Sequence, residues 1–285
     1  MRAILLNTAE SPCPGTHYAA CTEFLEGFRD YGYTPGVATT IGDISCAEYI
    51  LLSSHKVNIE YLEQLNALSP NSIYLLWFYF DYISKIPFKR YILTGEYWHH
   101  PPKLRRHLAW YNMIPGLPHY VPFMLRANES PERIGTYPRN DIYNGCFMGT
   151  PYKPEWVSGL SNILYHDINK HGLLPYSRRR EIYLSSKIAF GFHATDNILN
   201  NHVTQRVFEA LCYGCIVLSD NPVAEELTDG IVVYVSSKED FKNKYNYYLS
   251  HPEDCETKRM RGYTWAKQFG TNRYAVDLFL NHRFN

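Results

Sequence analysis

Short apolar runs alternate with amphipathic stretches along most of the chain, the pattern of strands buried on both faces and separated by helices. In the first half residues 3–6, 49–52, 73–79 and 91–93 read as strands. A helix is predicted from near Thr16 to Gly32, with Ala20, Phe24, Leu25 and Phe28 at helical spacing, and a second one over 59–68. Five prolines, at 115, 118, 122, 131 and 138, then interrupt the periodicity as an inter-domain crossing does, which predicts domains over 1–138 and 139–285. In the second half strands are predicted at 143–149, 163–166, 188–192, 216–218 and 231–235, a helix at 238–249, and one or two helices over 253–284. Strands alternating with helices imply parallel, doubly wound α/β sheets, whose ligands gather outside the carboxyl ends of the strands. In the first half those ends carry residues 7–17, 53–55, 80–81 and 95–100.

The densest signal is the stretch SKIAFGFHATDNILNNHVTQRVFEALCYGCIVLSDNP, residues 186–222. An apolar strand is followed by a polar loop ending in two asparagines, residue types that cap helices by accepting from free backbone N–H groups. From His202 the spacing is helical. At about 100° per residue, Val203, Val207, Phe208, Ala210 and Leu211 share one half of the wheel, and His202, Arg206, Glu209 and Tyr213 form a stripe on the other. Gly214 is placed to end the helix. Strand, loop and helix N-terminus together make an anion site, because unpaired N–H groups and the positive helix end converge there. A diphosphate fits it. Arg206 is placed to meet a phosphate, and Glu209 to reach a ribose beyond it. The same two residues also fit an ordinary i, i+3 helix pair, worth about 0.2–0.5 kcal/mol.

The letters RVFEALCYGCIVLSDNP, with KIAFGFH upstream and YYLSHPE downstream, resemble the nucleotide-sugar half of GT-B glycosyltransferases, most nearly the spore-maturation (CgeB-like) and family-1-type group. The resemblance covers about residues 144–279. It implies a GT-B fold, two Rossmann-like doubly wound domains facing a cleft, with the last helix commonly returning to the first domain. It implies transfer of a sugar from a nucleoside-diphosphate donor to a hydroxyl of a carbohydrate or glycoconjugate acceptor. The backbone N–H groups of Val203, Thr204 and Gln205 would hold the diphosphate, Glu209 the ribose, and the region of Tyr176 the base. Gly149, ending the strand over 143–149, would let backbone approach the phosphates, and Lys153 would supply charge. Many retaining members carry a second Glu eight positions before the first; here that position is Asn201. If transfer is inverting, the base that deprotonates the acceptor is expected at a strand end of the first domain, with His17 first and Asp81 and Glu96 as alternatives. An epimerase or hydrolase on the same fold, and a non-catalytic nucleotide-sugar-binding module, are the rival readings.

Composition narrows the partners. Lys+Arg and Asp+Glu are equal at 28 each, which leaves no overall field for nucleic acid or an anionic membrane. Aromatic residues make up 15% of the chain, with 25 Tyr, and flat rings carrying hydroxyls suit sugars. Seven scattered cysteines lack the density of a disulfide scaffold, and the single CxxC, Cys212 to Cys215, has no second pair for zinc. No Asp-x-Asp triad, Gly-rich dinucleotide fingerprint or P-loop occurs, so neither a metal nor a cofactor is expected beyond the donor. The opening residues lack a signal-peptide core and no run is long enough to span a bilayer, which predicts a cytoplasmic protein.

Overall fold

The computed structural model describes residues 1–13, 15–53, 58–77, 86–95, 120–122, 126–199 and 202–281. The chain divides into two compact units, the first Met1–Glu96, His100–Leu125 and Asn272–Asn285, the second Tyr97–His99 and Arg126–Thr271.

The first unit is built on six strands, β1 (Arg2–Leu6), β2 (Thr34–Ala38), β3 (Tyr49–Leu52), β4 (Ile73–Trp77), β5 (Tyr91–Gly95) and β6 (Tyr120–Pro122). They pair in parallel in the order β2-β1-β3-β4-β5-β6. Because successive side chains point to opposite faces, the continuous apolar runs serve two cores at once. Ala3, Leu5, Leu51 and Leu75 face a cluster containing Phe24 and Phe28 together with Ala275, Val276 and Phe279 of the helix Asn272–Leu280. Ile4, Leu6, Leu52 and Leu76 face the other, with Tyr61, Leu62 and Leu65 of the helix Ile59–Leu68. That helix starts at Asn58, whose side chain accepts from the Tyr61 N–H. β2 has no counterpart among the predicted strands. Its sequence TPGVA holds a proline, which a sheet tolerates at its edge, where β2 lies.

The second unit carries β7 (Tyr143–Gly149), β8 (Ile163–Asp167), β9 (Ser186–Gly191), β10 (Ile216–Ser219) and β11 (Val233–Tyr234), parallel in the order β11-β10-β9-β7-β8. From β7 the chain goes first to one neighbour, β8, and then crosses to the other, β9. The carboxyl ends of β7 and β9 therefore flank the point where the winding reverses, the usual ligand crevice of such sheets. Gly214 takes a φ of +74° after the helix Gln205–Cys212, the left-handed turn that lets β10 begin two residues later. The helix is enclosed: every residue from Val207 to Cys212 is buried, including Glu209. Its polar stripe faces a buried polar network rather than solvent.

Candidate functional site

The site lies at the carboxyl edge of β7, β9 and β10 and is assembled from four loops. After β9 the chain makes a short helix, Thr195–Leu199, and reaches His202, whose N–H donates to the Asn197 carbonyl (2.8 Å) and whose carbonyl accepts from Asn221 Nδ2 (2.7 Å). The helix that follows is Gln205–Cys212 with Thr204 at its N-cap in an extended conformation. It therefore begins three residues later than the spacing predicts. Asn200 and Asn201, the predicted caps, lie outside the described residues. The first-turn N–H groups belong to Gln205, Arg206 and Val207, not to Val203 and Thr204. Val203 is buried, and the Thr204 N–H is directed at the ring of His193 (3.2 Å).

His193, directly after β9 and Phe192, is 1% exposed and central to the edge. Its ring Nδ1 lies 2.9 Å from Asp220 Oδ1, and its backbone N–H donates to both Asp220 oxygens (3.0 and 3.2 Å). Its Nε2 accepts from the Thr204 N–H, and the Thr204 hydroxyl is 3.4 Å away. A backbone N–H only donates, so Nε2 is the bare nitrogen and Nδ1 carries the proton. Burial pushes the imidazole from its ordinary 6.5 down to about 4, against the hydrogen bond and charge of Asp220 and with the help of the charges of Arg206 and His202. The opposing Asp220, 4% exposed, follows β10. Burial alone would raise its carboxyl, but the His193 hydrogen bond and the Lys153 ammonium, 2.5 Å from Oδ2, hold it below the usual carboxylate range. Lys153 also sits 4.5 Å above the ring of Trp156.

A stability profile follows. An unfolded histidine binds a proton below about 6.5 whereas His193 in the fold does not, so stability is full above pH 6.5 and falls as the pH drops towards 4. At 1.36 kcal/mol per unit the loss approaches about 3 kcal/mol. Asp220 adds to it only as the pH nears 3.8. Chemical denaturation from pH 7 to 4 should show this slope, and His193→Asn should flatten it; an unchanged slope in the variant would assign the loss to other groups.

Arg206, in the first turn of the helix, points back across the end of β7. A Cβ added to Gly149 would lie 2.3 Å from Arg206 Nη1, so only glycine admits the guanidinium there. The guanidinium carbon is 5.4 Å from the Phe147 ring centroid. Its Nη1 is enclosed and has no hydrogen-bond partner among the described residues. Burial works against its charge, with the charges of Tyr183, Tyr152, Asp220 and Glu209 acting the other way. The i, i+3 pair with Glu209 does not form. Instead Glu209, 3% exposed, accepts a forked pair from Arg179 of the helix Tyr176–Leu184, Nη2 at 2.9 Å and Nε at 3.2 Å. Arg179 also donates to the Leu174 carbonyl (3.1 Å) and lies 5.0 Å over the ring of Tyr176. The Tyr176 hydroxyl meets Tyr213 (2.9 Å), which in turn donates to Glu129 (2.7 Å).

The second unit thus brings together Gly149, Lys153, Thr204, Gln205, Arg206, Glu209 and Tyr176 around three residues not singled out from the sequence, His193, Asp220 and Arg179. The first two had a readable signal: each is a polar residue directly following a buried apolar strand of a parallel sheet. Arg179 had none, since RRRE reads as a solvated helix start. Of the expected bases, His17 belongs to the helix Gly15–Glu26, while Asp81 and Glu96 lie outside the described residues. Cys212 and Cys215 are buried free thiols. Among the described residues no three His, Cys, Asp or Glu side chains cluster as a metal site, and no helix is long and apolar enough to cross a membrane.

Residues 135–280, just over half of the chain, match the family described as glycosyl transferase-like. Two solved structures share the fold across nearly their full length at 11% identity. One is AviGT4, a glycosyltransferase involved in avilamycin A biosynthesis, with a TM-score of 0.55 over 98% of this chain and 96% of that one. The other is an alpha-glucosyltransferase in complex with UDP and a 13-mer DNA containing an HMU base, with a TM-score of 0.54 over 99% and 98%. No curated protein matches the chain in sequence.

Proposed function

The chain belongs to the glycosyl transferase-like family and is a GT-B glycosyltransferase, and from that premise we propose that it moves a sugar from a nucleoside-diphosphate donor to a hydroxyl of a carbohydrate or glycoconjugate, without a divalent metal. The observation that carries this reading is Arg206 Nη1, an enclosed donor with no hydrogen-bond partner among the described residues, at a helix N-terminus and against Gly149. A buried donor left unpaired costs stability, and a phosphate oxygen satisfies it. The diphosphate is held by Arg206, the positive N-terminal end of the 205–212 helix and Lys153. The ribose hydroxyls bind Glu209, which the Arg179 fork holds in place. The base lies towards Tyr176.

As the bond to the sugar breaks, negative charge grows on the departing diphosphate. Fixed cationic donors and the helix dipole stabilise that charge, the electrostatic work a metal does elsewhere. For an inverting reaction His17 takes the acceptor proton, with Asp81 and Glu96 next in line. The protein acts in the cytoplasm, and the letters around Glu209 support kinship with the spore-maturation-like group. The balance of 28 basic and 28 acidic residues favours a carbohydrate acceptor over a nucleic acid.

The assay is release of nucleoside diphosphate from a panel of nucleotide sugars, with and without carbohydrate acceptors, in excess EDTA. Turnover that needs acceptor and persists in EDTA is the expected result. Activity abolished by EDTA and restored by manganese or magnesium would overturn metal independence, and full release without acceptor would mark a hydrolase or epimerase.

A further inference from the structure

The chain of contacts Lys153–Asp220–His193–Thr204 is more than packing. It starts at an ammonium on the loop after β7, passes through two buried groups after β10 and β9, and ends on the N-cap of the 205–212 helix, with every link at hydrogen-bond distance. Burying a carboxylate and an imidazole is costly, and a loop anchor alone needs neither charge nor ring. What these groups fix is the separation of two phosphate donors that come from different loops. The Asp220 carboxylate holds Lys153 on one side, and the bare Nε2 of His193 draws in the Thr204 N–H on the other, which sets where the helix starts and where its next N–H groups point.

We propose that His193 and Asp220 are positioning residues for the donor diphosphate, presetting the spacing between the Lys153 ammonium and the first turn of the 205–212 helix. The proposal rests on the donor reading above. The neutral ring is essential to it: an imidazolium would aim an N–H at the Thr204 N–H and expel the N-cap. Burial keeps the ring neutral, and Asp220 fixes its tautomer by engaging Nδ1, leaving Nε2 as the acceptor. Neither residue touches the diphosphate itself, so their loss should be felt through the phosphates and not through the nucleoside.

Two substitutions separate the halves of the ring. Asparagine places an amide near the position of Nδ1, keeping the bond to Asp220 and losing the acceptor for Thr204. Glutamine reaches the position of Nε2 and keeps an acceptor there. The measurement is calorimetric titration of the full chain with UDP, GDP, ADP and the corresponding nucleosides, alongside thermal melting. For the base that binds wild type, His193→Asn should weaken diphosphate binding at least tenfold while leaving nucleoside binding within about twofold, and His193→Gln should recover diphosphate affinity to within about threefold. Asp220→Asn should reproduce the diphosphate-selective loss through Lys153. Wild-type diphosphate affinity in both His193→Asn and Asp220→Asn would overturn the proposal, as would an equal loss for nucleoside and diphosphate, the mark of a merely structural role. If wild type binds none of the diphosphates, the donor reading itself fails, an outcome distinct from a selective change confined to the variants.

Discussion

Replacing Arg206 with methionine should lower kcat by about 10²–10³-fold and leave the melting temperature unchanged or higher. The two effects have one origin. The guanidinium is held over Phe147 with its Nη1 enclosed and unpaired among the described residues, and burial works against its charge. It is a desolvated cation with carboxylates nearby, and its Nη1 has no partner among the described residues, which opposes folding. Methionine keeps the apolar stem against Phe147 and removes the charge, so the folded state loses nothing it needs. Transition-state charge on the diphosphate, however, loses a preorganised donor. A fall in melting temperature of several degrees, with turnover intact, would make Arg206 a structural residue and leave the helix end without its principal cation.

Replacing Glu209 with alanine should have the opposite balance. Its carboxylate is the buried half of the fork with Arg179, whose own side chain is 19% exposed. Removing one partner of a fully buried pair costs about 3–5 kcal/mol, and partial exposure of Arg179 reduces the expected loss to about 2–3 kcal/mol. Affinity for nucleoside diphosphate should fall as well, by about 1.5–3 kcal/mol for a hydrogen bond to a charged group. The double variant Glu209→Ala with Arg179→Met should recover part of the stability but none of the affinity, because the stranded guanidinium is gone while the ribose acceptor remains absent. Denaturant unfolding and calorimetry on the same samples test this. Recovery of affinity in the double variant would remove Glu209 from the donor site.

Much of this was legible in the sequence because apolar runs in parallel sheets are buried on both faces and stand out. The helix over 59–68 and the strand over 143–149 have the bounds that spacing predicts, and Gly214 ends its helix in the left-handed turn expected of it. β2 was hidden because its proline and glycine are turn residues everywhere except at a sheet edge. The start of the 205–212 helix was misplaced because asparagines at 200 and 201 look like caps, whereas a long-range contact, Thr204 N–H to His193, sets the boundary. The partner of Glu209 was invisible for the same reason. Local spacing offers Arg206 three residues away, and the fold supplies Arg179 thirty residues away. Periodicity reports which residues share a face; it carries no information about which buried charges meet.

The most direct test of the account is a crystal structure of the protein with the nucleoside diphosphate that calorimetry selects. The diphosphate is expected at the start of the 205–212 helix, with an oxygen about 2.7–2.9 Å from Arg206 Nη1, Lys153 on its far side, and the ribose hydroxyls on Glu209. A diphosphate bound elsewhere on the chain, with Arg206 Nη1 still unpaired, would contradict the assignment of this edge as the donor site.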